Sequence, residues 1–432
     1  MTDPIQVICE NTGAAIEVPM GTTLLDVQRR LMPACDHPCL AAYVNNRTKE
    51  LNYRIYTPVT VRFLDITSFE GIRVYQRTVS FVLQKAVREL WPDRRLHIRH
   101  SMGSNGFYCE VSGIDEFTDG QIDRLRDHML KLVGRDLPIR RTKALTEQVR
   151  SLYAAYGFVD KIALLDTRPR LYSELYTIDG MPGYFYGSLA PSTGYVGLFD
   201  LQRYYNGFYI ALPLRSDPSR LNRTIHQEKM FDIFQEYQSW VRIMGVPTVG
   251  QLNSKVLGGD ASELIKIAEA FHEKKIASVA DAVYDANVAR GARVVLISGP
   301  SSSGKTTFAK RLGIQLRILG LNPVLISLDD YFVEREKTPL DENGEYDYEA
   351  LEAIDLEQFN DHLRRLAEGE SVDIPRYDFI TGTRQWHNNP LTLDERSILI
   401  IEGIHALNPR LTPSVPEERK FRVYISLSLI HI

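Results

Sequence analysis

The stretch VVLISGPSSSGKTT at residues 294–307 constrains this chain most, because it combines three local structures in a fixed order. The short apolar, β-branched run Val294–Ile297 predicts a buried parallel strand. The pattern GxxxxGKT over 299–306 follows, and the apolar residues after it recur at helical spacing until Gly320. Strand, glycine loop and helix in this order predict a phosphate-binding loop; the alternative, an ordinary Gly/Ser-rich turn, does not account for the flanking elements.

The predicted loop carries groups suited to binding an anion. Its two glycines let the backbone bend so that successive N–H groups point inward, and the helix N-terminus adds positive potential. We expect Lys305 to reach the terminal phosphates and act in catalysis, and the Thr306 hydroxyl to bind Mg²⁺. The residues predicted to bind nucleotide are Gly299, Ser301, Ser302, Ser303, Gly304, Lys305, Thr306 and Thr307.

Two further strands are predicted to end in acidic residues. The run Val324–Leu328 precedes Asp329, and the run Ser397–Ile401 precedes Glu402. In α/β sheets substrates bind at the carboxyl ends of parallel strands, so both carboxylates are placed to act beside the loop. Asp330 is interpreted instead as a solvated surface charge. The predicted metal ligands are Thr306, Asp329 and Glu402.

Length and charge limit the classes of protein to consider. A chain of 432 residues with 44% hydrophobic residues is expected to form several domains with sizeable cores. Its net charge is −4, and residues 291–426 carry 16 Lys and Arg against 22 Asp and Glu. RNA binding is therefore possible but not supported by charge. No apolar run approaches the length of a membrane span, and no signal peptide is recognisable at the start.

The four cysteines are too few for a disulfide scaffold and indicate a reducing, cytoplasmic setting. The sequence CDHPC at Cys35–Cys39 is compatible with a metal site. A plain loop is the favoured interpretation, because no second pair of ligands lies nearby in the sequence. We therefore expect no zinc.

Residues 1–65 are predicted to form a small β-rich unit. Strands are expected at Ile5–Cys9, Ala15–Val18 and Val59–Leu64, with a short helix that begins after a cap at Thr23. The segments NTGAAIEVPMGTTLLDVQRRL and LAAYVNNRTKELNYRIYTPVTVRFLD resemble a TGS domain, the β-grasp-like module at the front of threonyl-tRNA synthetases. The resemblance implies that fold for the whole segment.

Residues 66–215 resemble the second, α+β editing domain of those synthetases in EGIRVYQRTVSFVLQKAVRELWPD, NGFYCEVSG and LAPSTGYVGLFDLQ. The resemblance places Arg77, Phe81, Phe185 and Leu189 where that family has two pairs of editing residues. Phenylalanine and leucine neither bind metal nor transfer protons, so the resemblance implies the fold without the editing chemistry. His97 and His100 lie nearby, but lone histidines are more often surface or core residues. Residues 216–290 are predicted to be a helical connector.

Residues 291–426 resemble the uridine kinase and phosphoribulokinase family in four ordered motifs, GPSSSGKTT, SLDDYF, IPRYDFITGTR and IIEGIHAL. The family also includes bacterial nucleoside kinases that carry a TGS domain. The resemblance implies a P-loop α/β fold with a parallel sheet and the use of ATP, or another nucleoside triphosphate, with Mg²⁺. It implies that Asp329 is the catalytic base and that Glu402 holds Mg²⁺.

The same resemblance implies an acceptor site. Its residues would be Phe332, Tyr377, Phe379 and Arg384, with Asp347 or Glu352 holding sugar hydroxyls. Where the family has a histidine that contacts the base, this chain has Gly382. The resemblance therefore implies a nucleoside-like acceptor without carrying over the recognition of uracil.

The end of the chain departs from the family. The final hexapeptide LSLIHI, residues 427–432, is also the translation of a transposon end used in preparing sequencing libraries. We expect these six residues to be an artefact, the P-loop domain to be incomplete and the truncated chain to be inactive.

Three functions remain open from the sequence. The favoured one is phosphoryl transfer to a nucleoside-like hydroxyl, because Asp329 and Glu402 are retained. The second is an RNA- or tRNA-binding module with a nucleotide-dependent P-loop switch. The third is a kinase that the front half regulates by sensing a small molecule. Neither the acceptor nor the oligomeric state follows from the sequence.

Overall fold

The computed structural model describes residues 4–33, 35–102, 106–222, 226–342, 344–386, 388 and 390–426. The hexapeptide 427–432 lies outside these residues. The chain divides into two compact units between Ala261 and Ser262. Across the described ranges, no helix is both long and apolar enough to span a membrane.

The first unit begins with a five-stranded mixed sheet and one helix. Its elements are β1 (Pro4–Cys9), β2 (Ala15–Pro19), α1 (Leu24–Leu31), β3 (Ala41–Val44), β4 (Arg47–Glu50) and β5 (Val59–Leu64). The strand order is β2-β1-β5-β3-β4, with β1 and β5 parallel. Thr23 caps α1 by accepting a hydrogen bond from the Asp26 N–H at 3.1 Å, as the sequence predicts.

The rest of the first unit is α+β, with two antiparallel sheets. Its elements are α2 (Phe69–Leu90), β6 (Leu96–Met102), β7 (Gly106–Val111), α3 (Asp119–Gly134), β8 (Ile139–Leu145), α4 (Thr146–Ala155), α5 (Val159–Asp166), β9 (Tyr172–Ile178), β10 (Met181–Gly183), β11 (Asp200–Tyr204), β12 (Gly207–Ala211), α6 (Glu228–Ile243) and α7 (Val249–Leu257). The sheets have the orders β11-β12-β7-β6 and β10-β9-β8. The long helices α2 and α3 contribute their apolar faces to one core with residues of β7, β11 and β12.

The second unit has a four-stranded, wholly parallel sheet. Its elements are α8 (Ala261–Arg290), β13 (Val294–Ser298), α9 (Lys305–Ile318), β14 (Asn322–Ser327), α10 (Leu356–Ala367), β15 (Val372–Asp373), β16 (Arg376–Asp378), β17 (Thr383–Gln385), β18 (Pro390–Leu391), β19 (Ser397–Glu402) and β20 (Lys420–Tyr424). The order β14-β19-β13-β20 places the glycine-loop strand beside the strand that ends at Glu402. The predicted multidomain α+β and α/β fold is confirmed.

Helices cover both faces of this parallel sheet, because alternate residues of each buried strand point in opposite directions. Val295 and Ile297 pack on the side of α8 and α9, whereas Leu296 packs on the side of α10. Three buried residues of α8, namely Ile276, Ala280 and Val283, complete the first of these layers. Residues 262–290 thus belong to the core of the second unit, although the sequence assigns them to the predicted connector.

His100 is an aromatic core residue of the first unit. Its ring is 8% exposed and stacks on Phe234, with the ring centroids 4.0 Å apart. Neither ring nitrogen has a hydrogen-bond partner among the described residues. Burial of the ring lowers the pKa of His100 from 6.5 to about 4. The interpretation of this histidine as a core residue fits its packing.

This burial predicts an acid-sensitive first unit. Between pH 6.5 and 4 the unfolded chain protonates His100 while the folded chain does not, so the free energy of unfolding falls as the pH falls. His100→Phe keeps the aromatic packing and removes this titration. We expect the variant to lose less stability than the wild type between pH 7 and pH 5 in urea unfolding. Equal losses in the two proteins would contradict the assignment.

Candidate active site

The glycine loop has the strained backbone that its sequence predicts. It runs from the end of β13 to Gly304, which caps α9 in the left-handed conformation with φ of +84°. Ser302 also has a positive φ, +58°, which few residues other than glycine adopt. These bends direct the chain into the first turn of α9, whose N–H groups have no acceptor within the helix. The loop and the helix start therefore form a cradle for an anion.

Gly299 is required by crowding at the base of the loop. A Cβ atom there would lie 2.1 Å from the carbonyl oxygen of Ile425 and 2.9 Å from the Ser303 hydroxyl. That hydroxyl is buried and has no hydrogen-bond partner among the residues that the structure describes. The Lys305 ammonium folds back over the loop and donates to the Pro300 carbonyl at 3.0 Å. Both groups are available to phosphate oxygens.

Glu402 joins the loop to the neighbouring strand. Its carboxylate, 6% exposed at the end of β19, accepts hydrogen bonds from Thr306 at 2.8 Å and from Ser327 at 3.0 Å. Parallel pairing of β14 with β19 sets Ser327 directly beside Glu402. Thr306 and Glu402 thus meet as the sequence predicts, whereas sequence reasoning missed Ser327.

Asp329 follows β14 immediately, in a 3₁₀ turn at Leu328–Tyr331. Partial burial raises the pKa of Asp329, the nearby charge of Glu402 raises it further, and Lys305 opposes both effects. The residue is nevertheless exposed to solvent. A carboxylate with this environment is suited to accepting a proton from a bound hydroxyl.

The donor set of this site fits Mg²⁺. Thr306, Asp329 and Glu402 offer one hydroxyl and two carboxylates, all of them hard oxygen ligands. Mg²⁺ in nucleotide sites typically has one or two protein carboxylates, with phosphate oxygens and waters completing its shell. The buried Ser303 hydroxyl, which has no hydrogen-bond partner among the described residues, fits a phosphate oxygen.

The interpretation of Asp330 as a solvated surface charge is wrong. The residue is half-buried, and its carboxylate accepts a hydrogen bond from the Tyr377 N–H at 3.3 Å. Burial raises the pKa of Asp330, and this hydrogen bond opposes the shift. The contact holds β16 against the turn that carries Asp329, and it was not visible in the sequence because 47 residues separate its partners.

An aromatic cluster lies directly after the Asp329 turn. Phe332 has ring-centroid distances of 5.6 Å to Tyr377, 5.8 Å to Phe379 and 5.9 Å to Tyr348. The three predicted aromatic residues are therefore brought together, and Tyr348 is an addition. The Tyr377 hydroxyl is buried without a partner among the described residues, and Phe379 is 54% exposed. The cluster offers an open aromatic face and an unused polar group.

The other predicted acceptor residues have protein partners. Arg384 donates to the carboxylate of Asp355 at 2.9 Å and also contacts Gln358. The Asp347 carboxylate caps its own turn by accepting from the N–H groups of residues 349 and 350. Glu352 pairs with Arg410 at 2.9 Å on the surface. Their roles toward an acceptor remain predictions.

In the first unit, the positions of the family's editing residues are filled by a hydrophobic core. Phe81 and Leu189 are at most 1% exposed, and the ring of Phe185 lies 5.1 Å from that of Phe81. A Cβ at Gly183 would meet the Phe81 ring at 2.5 Å, so this packing leaves no space. Arg77 donates to the Ser188 carbonyl at 3.4 Å, and burial lowers its pKa.

A cavity of about 500 Å³ in the first unit contains none of the predicted nucleotide, metal or acceptor residues. Tyr43, Arg62 and Arg215 are among its lining residues, together with Cys35. The Cys35 and Cys39 sulfur atoms are 3.1 Å apart, and burial raises both thiol pKa values. Within the described ranges, no three His, Cys, Asp or Glu side chains are grouped as a metal site.

The crowding at Gly299 yields a direct test of the loop. We expect Gly299→Ala to weaken binding of Mg-ATP at least about 10-fold, because the new methyl group displaces the Ile425 backbone or the loop. Gly313→Ala in α9 is the matched control: its Cβ would have ordinary contacts of 3.5 Å or more, and alanine favours helix. Isothermal titration with ATP measures both variants. Unchanged affinity in Gly299→Ala would show that the loop tolerates the methyl group.

Residues 294–429 match the sequence profile described as the phosphoribulokinase / uridine kinase family. A solved structure described as a possible uridine kinase from Bacillus stearothermophilus is 28% identical, with 32% of this chain and 71% of that chain covered and a TM-score of 0.26.

Other relatives are threonine–tRNA ligases. The protein from Rubrobacter xylanophilus is 28% identical over 190 residues, which are 44% of this chain and 29% of the relative. Threonine–tRNA ligase 1 of Bacillus subtilis is 26% identical over 204 residues, or 46% of this chain and 31% of the relative. The chain thus spans less than a third of either ligase. The C-terminal part of this chain therefore matches the profile of the phosphoribulokinase / uridine kinase family, and the chain is similar over less than half its length to threonine–tRNA ligases.

Proposed function

We propose that this protein transfers a phosphoryl group from ATP, or another nucleoside triphosphate, to a hydroxyl of a nucleoside-like acceptor. The observation that carries the proposal is the convergence of Lys305, Thr306, Asp329 and Glu402 around one glycine loop. An aromatic cluster, in which Phe379 is exposed, follows the Asp329 turn directly. A pure nucleotide switch would need no carboxylate poised as a base.

The loop would bind the donor triphosphate. Its N–H groups and the N-terminus of α9 would surround the phosphates, and Lys305 would exchange its bond to the Pro300 carbonyl for phosphate oxygens. Thr306, Glu402 and Asp329 would hold Mg²⁺, which neutralises charge that develops on the transferred group. Ser327 would keep the Glu402 carboxylate oriented.

Asp329 would accept the proton of the attacking hydroxyl. The O–H bond breaks toward the carboxylate as the acceptor oxygen bonds to the γ-phosphorus and the bond to the β-phosphate oxygen breaks. Partial desolvation and the charge of Glu402 raise the pKa of Asp329, which makes its carboxylate a stronger base. Since only the ionised form accepts a proton, the rate is expected to fall as the pH drops through this raised pKa.

The acceptor would lie against Phe332, Tyr377 and Phe379. Stacking on aromatic faces does not select one base. The cluster would therefore contribute to the affinity for the acceptor without determining which base the acceptor carries. Arg384 and Asp347 would contact the acceptor only after exchanging their present partners. We place the protein in the cytoplasm, in agreement with its four free cysteines.

A second candidate function is an RNA- or tRNA-binding module with the P-loop domain as a nucleotide-dependent switch. The homology of the N-terminal region to threonine–tRNA ligases favours it. The chain's net charge of −4 does not, since binding to nucleic acid draws on phosphate neutralisation. A front half that senses a small molecule and regulates the kinase is the third candidate.

Replacing the proposed base separates catalysis from binding. Asp329→Asn in the full-length protein should lower kcat by on the order of 100-fold or more, with ATP affinity little changed, because the amide cannot take a proton. Asp330→Asn is the matched control, since its amide oxygen still accepts from the Tyr377 N–H. Nucleoside-dependent ADP release measures both. Near-wild-type turnover in Asp329→Asn would remove this residue from the mechanism.

Apolar side chains fill the editing-like site, so we expect it to lack both an activity and a bound metal. We expect no hydrolysis of mischarged tRNA and no stoichiometric zinc, because Phe81, Phe185 and Leu189 supply neither ligands nor proton-transfer groups. Elemental analysis of the purified chain and a deacylation assay with mischarged threonine-accepting tRNA measure these outcomes. About one zinc per chain, or deacylation above the buffer rate, would overturn this assignment.

A further inference from the structure

Arg335 occupies the space that a side chain at position 382 would need. A Cβ at Gly382 would lie 2.8 Å from the Arg335 Nε atom and 2.9 Å from its guanidinium carbon. The two residues are also joined through the backbone, because the Arg335 N–H donates to the Gly382 carbonyl at 3.0 Å. Gly382 has φ of +72° at the tip of the β16–β17 hairpin. Arg335 can therefore take this position because residue 382 has no side chain.

The hairpin holds this guanidinium beside the aromatic cluster. One of its terminal N–H groups donates to the Phe379 carbonyl at 2.6 Å, and Phe379 lies 5.0 Å from Tyr377. The nearby Asp378 carboxylate interacts electrostatically with Arg335 but forms no ion pair with it within 4 Å. It accepts from the N–H groups of residues 380 and 381 and from the Gln385 amide. Across the described parts of the chain, Arg335 forms no ion pair within 4 Å.

A ligand is also indicated by unused polar groups in the same place. The Tyr377 hydroxyl is buried in a residue that is 5% exposed and has no partner among the described residues. The Thr338 hydroxyl, one turn after Arg335, is likewise buried and without a described partner. Leaving such groups unpaired is costly, so native proteins usually satisfy them with protein, water or ligand. Of the two, Tyr377 belongs to the aromatic cluster, in which Phe379 is exposed.

We propose that Arg335 selects the acceptor by its base, favouring a base with a keto group at C4 of a pyrimidine or C6 of a purine over one with an amino group at that position. This inference rests on the proposed function, because it places a base on the Phe332, Tyr377 and Phe379 cluster. A guanidinium only donates hydrogen bonds. It therefore pairs with a carbonyl oxygen, as in uracil or hypoxanthine, and opposes an amino group, as in cytosine or adenine. The proton transfer itself remains with Asp329.

The test compares two matched pairs of nucleosides. Affinities for uridine against cytidine, and for inosine against adenosine, are measured by titration with Mg²⁺ and a non-hydrolysable ATP analogue present. We expect the wild-type protein to bind the keto member on the order of 10- to 100-fold more tightly. Arg335→Met should reduce each ratio to about 3-fold or less, while affinity for the ATP analogue is unchanged.

Three further variants keep the result interpretable. Lys337→Met, in the same 3₁₀ turn, removes an exposed charge and should leave both ratios unchanged. Arg335→Lys retains a donor and should keep part of the discrimination, which also covers the case in which Arg335→Met does not fold. Gly382→Ala should displace the guanidinium and reduce the ratios as Arg335→Met does.

The possible failures are distinguishable. If nucleosides bind but Arg335→Met retains the wild-type ratios, or if the wild type prefers the amino member, the role of Arg335 is overturned and the proposed function stands. If no nucleoside binds to a protein that binds the ATP analogue normally, the proposed function fails and the inference fails with it.

Discussion

The buried carboxylate of Glu402 is the point on which the candidate site depends. It accepts hydrogen bonds from Thr306 on the glycine loop and from Ser327 at the end of the neighbouring strand. A carboxylate that is 6% exposed is stable only with such partners, because burying an unpaired charge is costly. The same bonds fix the spacing between the phosphate cradle and the turn that carries Asp329. Loop, metal ligands and proposed base are thereby held as one unit.

In both units of the chain, the fold by itself does not determine which chemical groups the site carries. The chain is similar to threonine–tRNA ligases over less than half of its length, and a close-packed apolar cluster surrounds Phe81 in the first unit. In the second unit Glu402 ends a strand of the parallel sheet beside the glycine loop, and Arg335 crowds the β16–β17 hairpin. There Gly382 leaves room for Arg335, so a group from another segment takes the place of a side chain on the hairpin.

Much of the second unit was predictable because its signals are local. An apolar β-branched run, two glycines at fixed spacing and a following amphipathic pattern define strand, loop and helix without reference to the rest of the chain. Acidic residues at strand ends are equally local, and Glu402 accepts a hydrogen bond from Thr306 of the loop. The roles of Asp329 and Glu402 remain predictions. Crowding at Gly299 follows from the same motif, although the carbonyl responsible belongs to Ile425.

The sequence by itself determined the fold class and the strand, glycine loop and helix that start the second unit's sheet, because each depends on neighbours within a few positions. Only the tertiary structure decided which side chains already have partners within the protein. Asp330 holds β16, Arg384 is paired with Asp355, and Arg335 fills the space above Gly382. Those contacts join segments 29 to 47 residues apart. Pairing at such separations depends on how the strands and turns pack, and no local pattern records it.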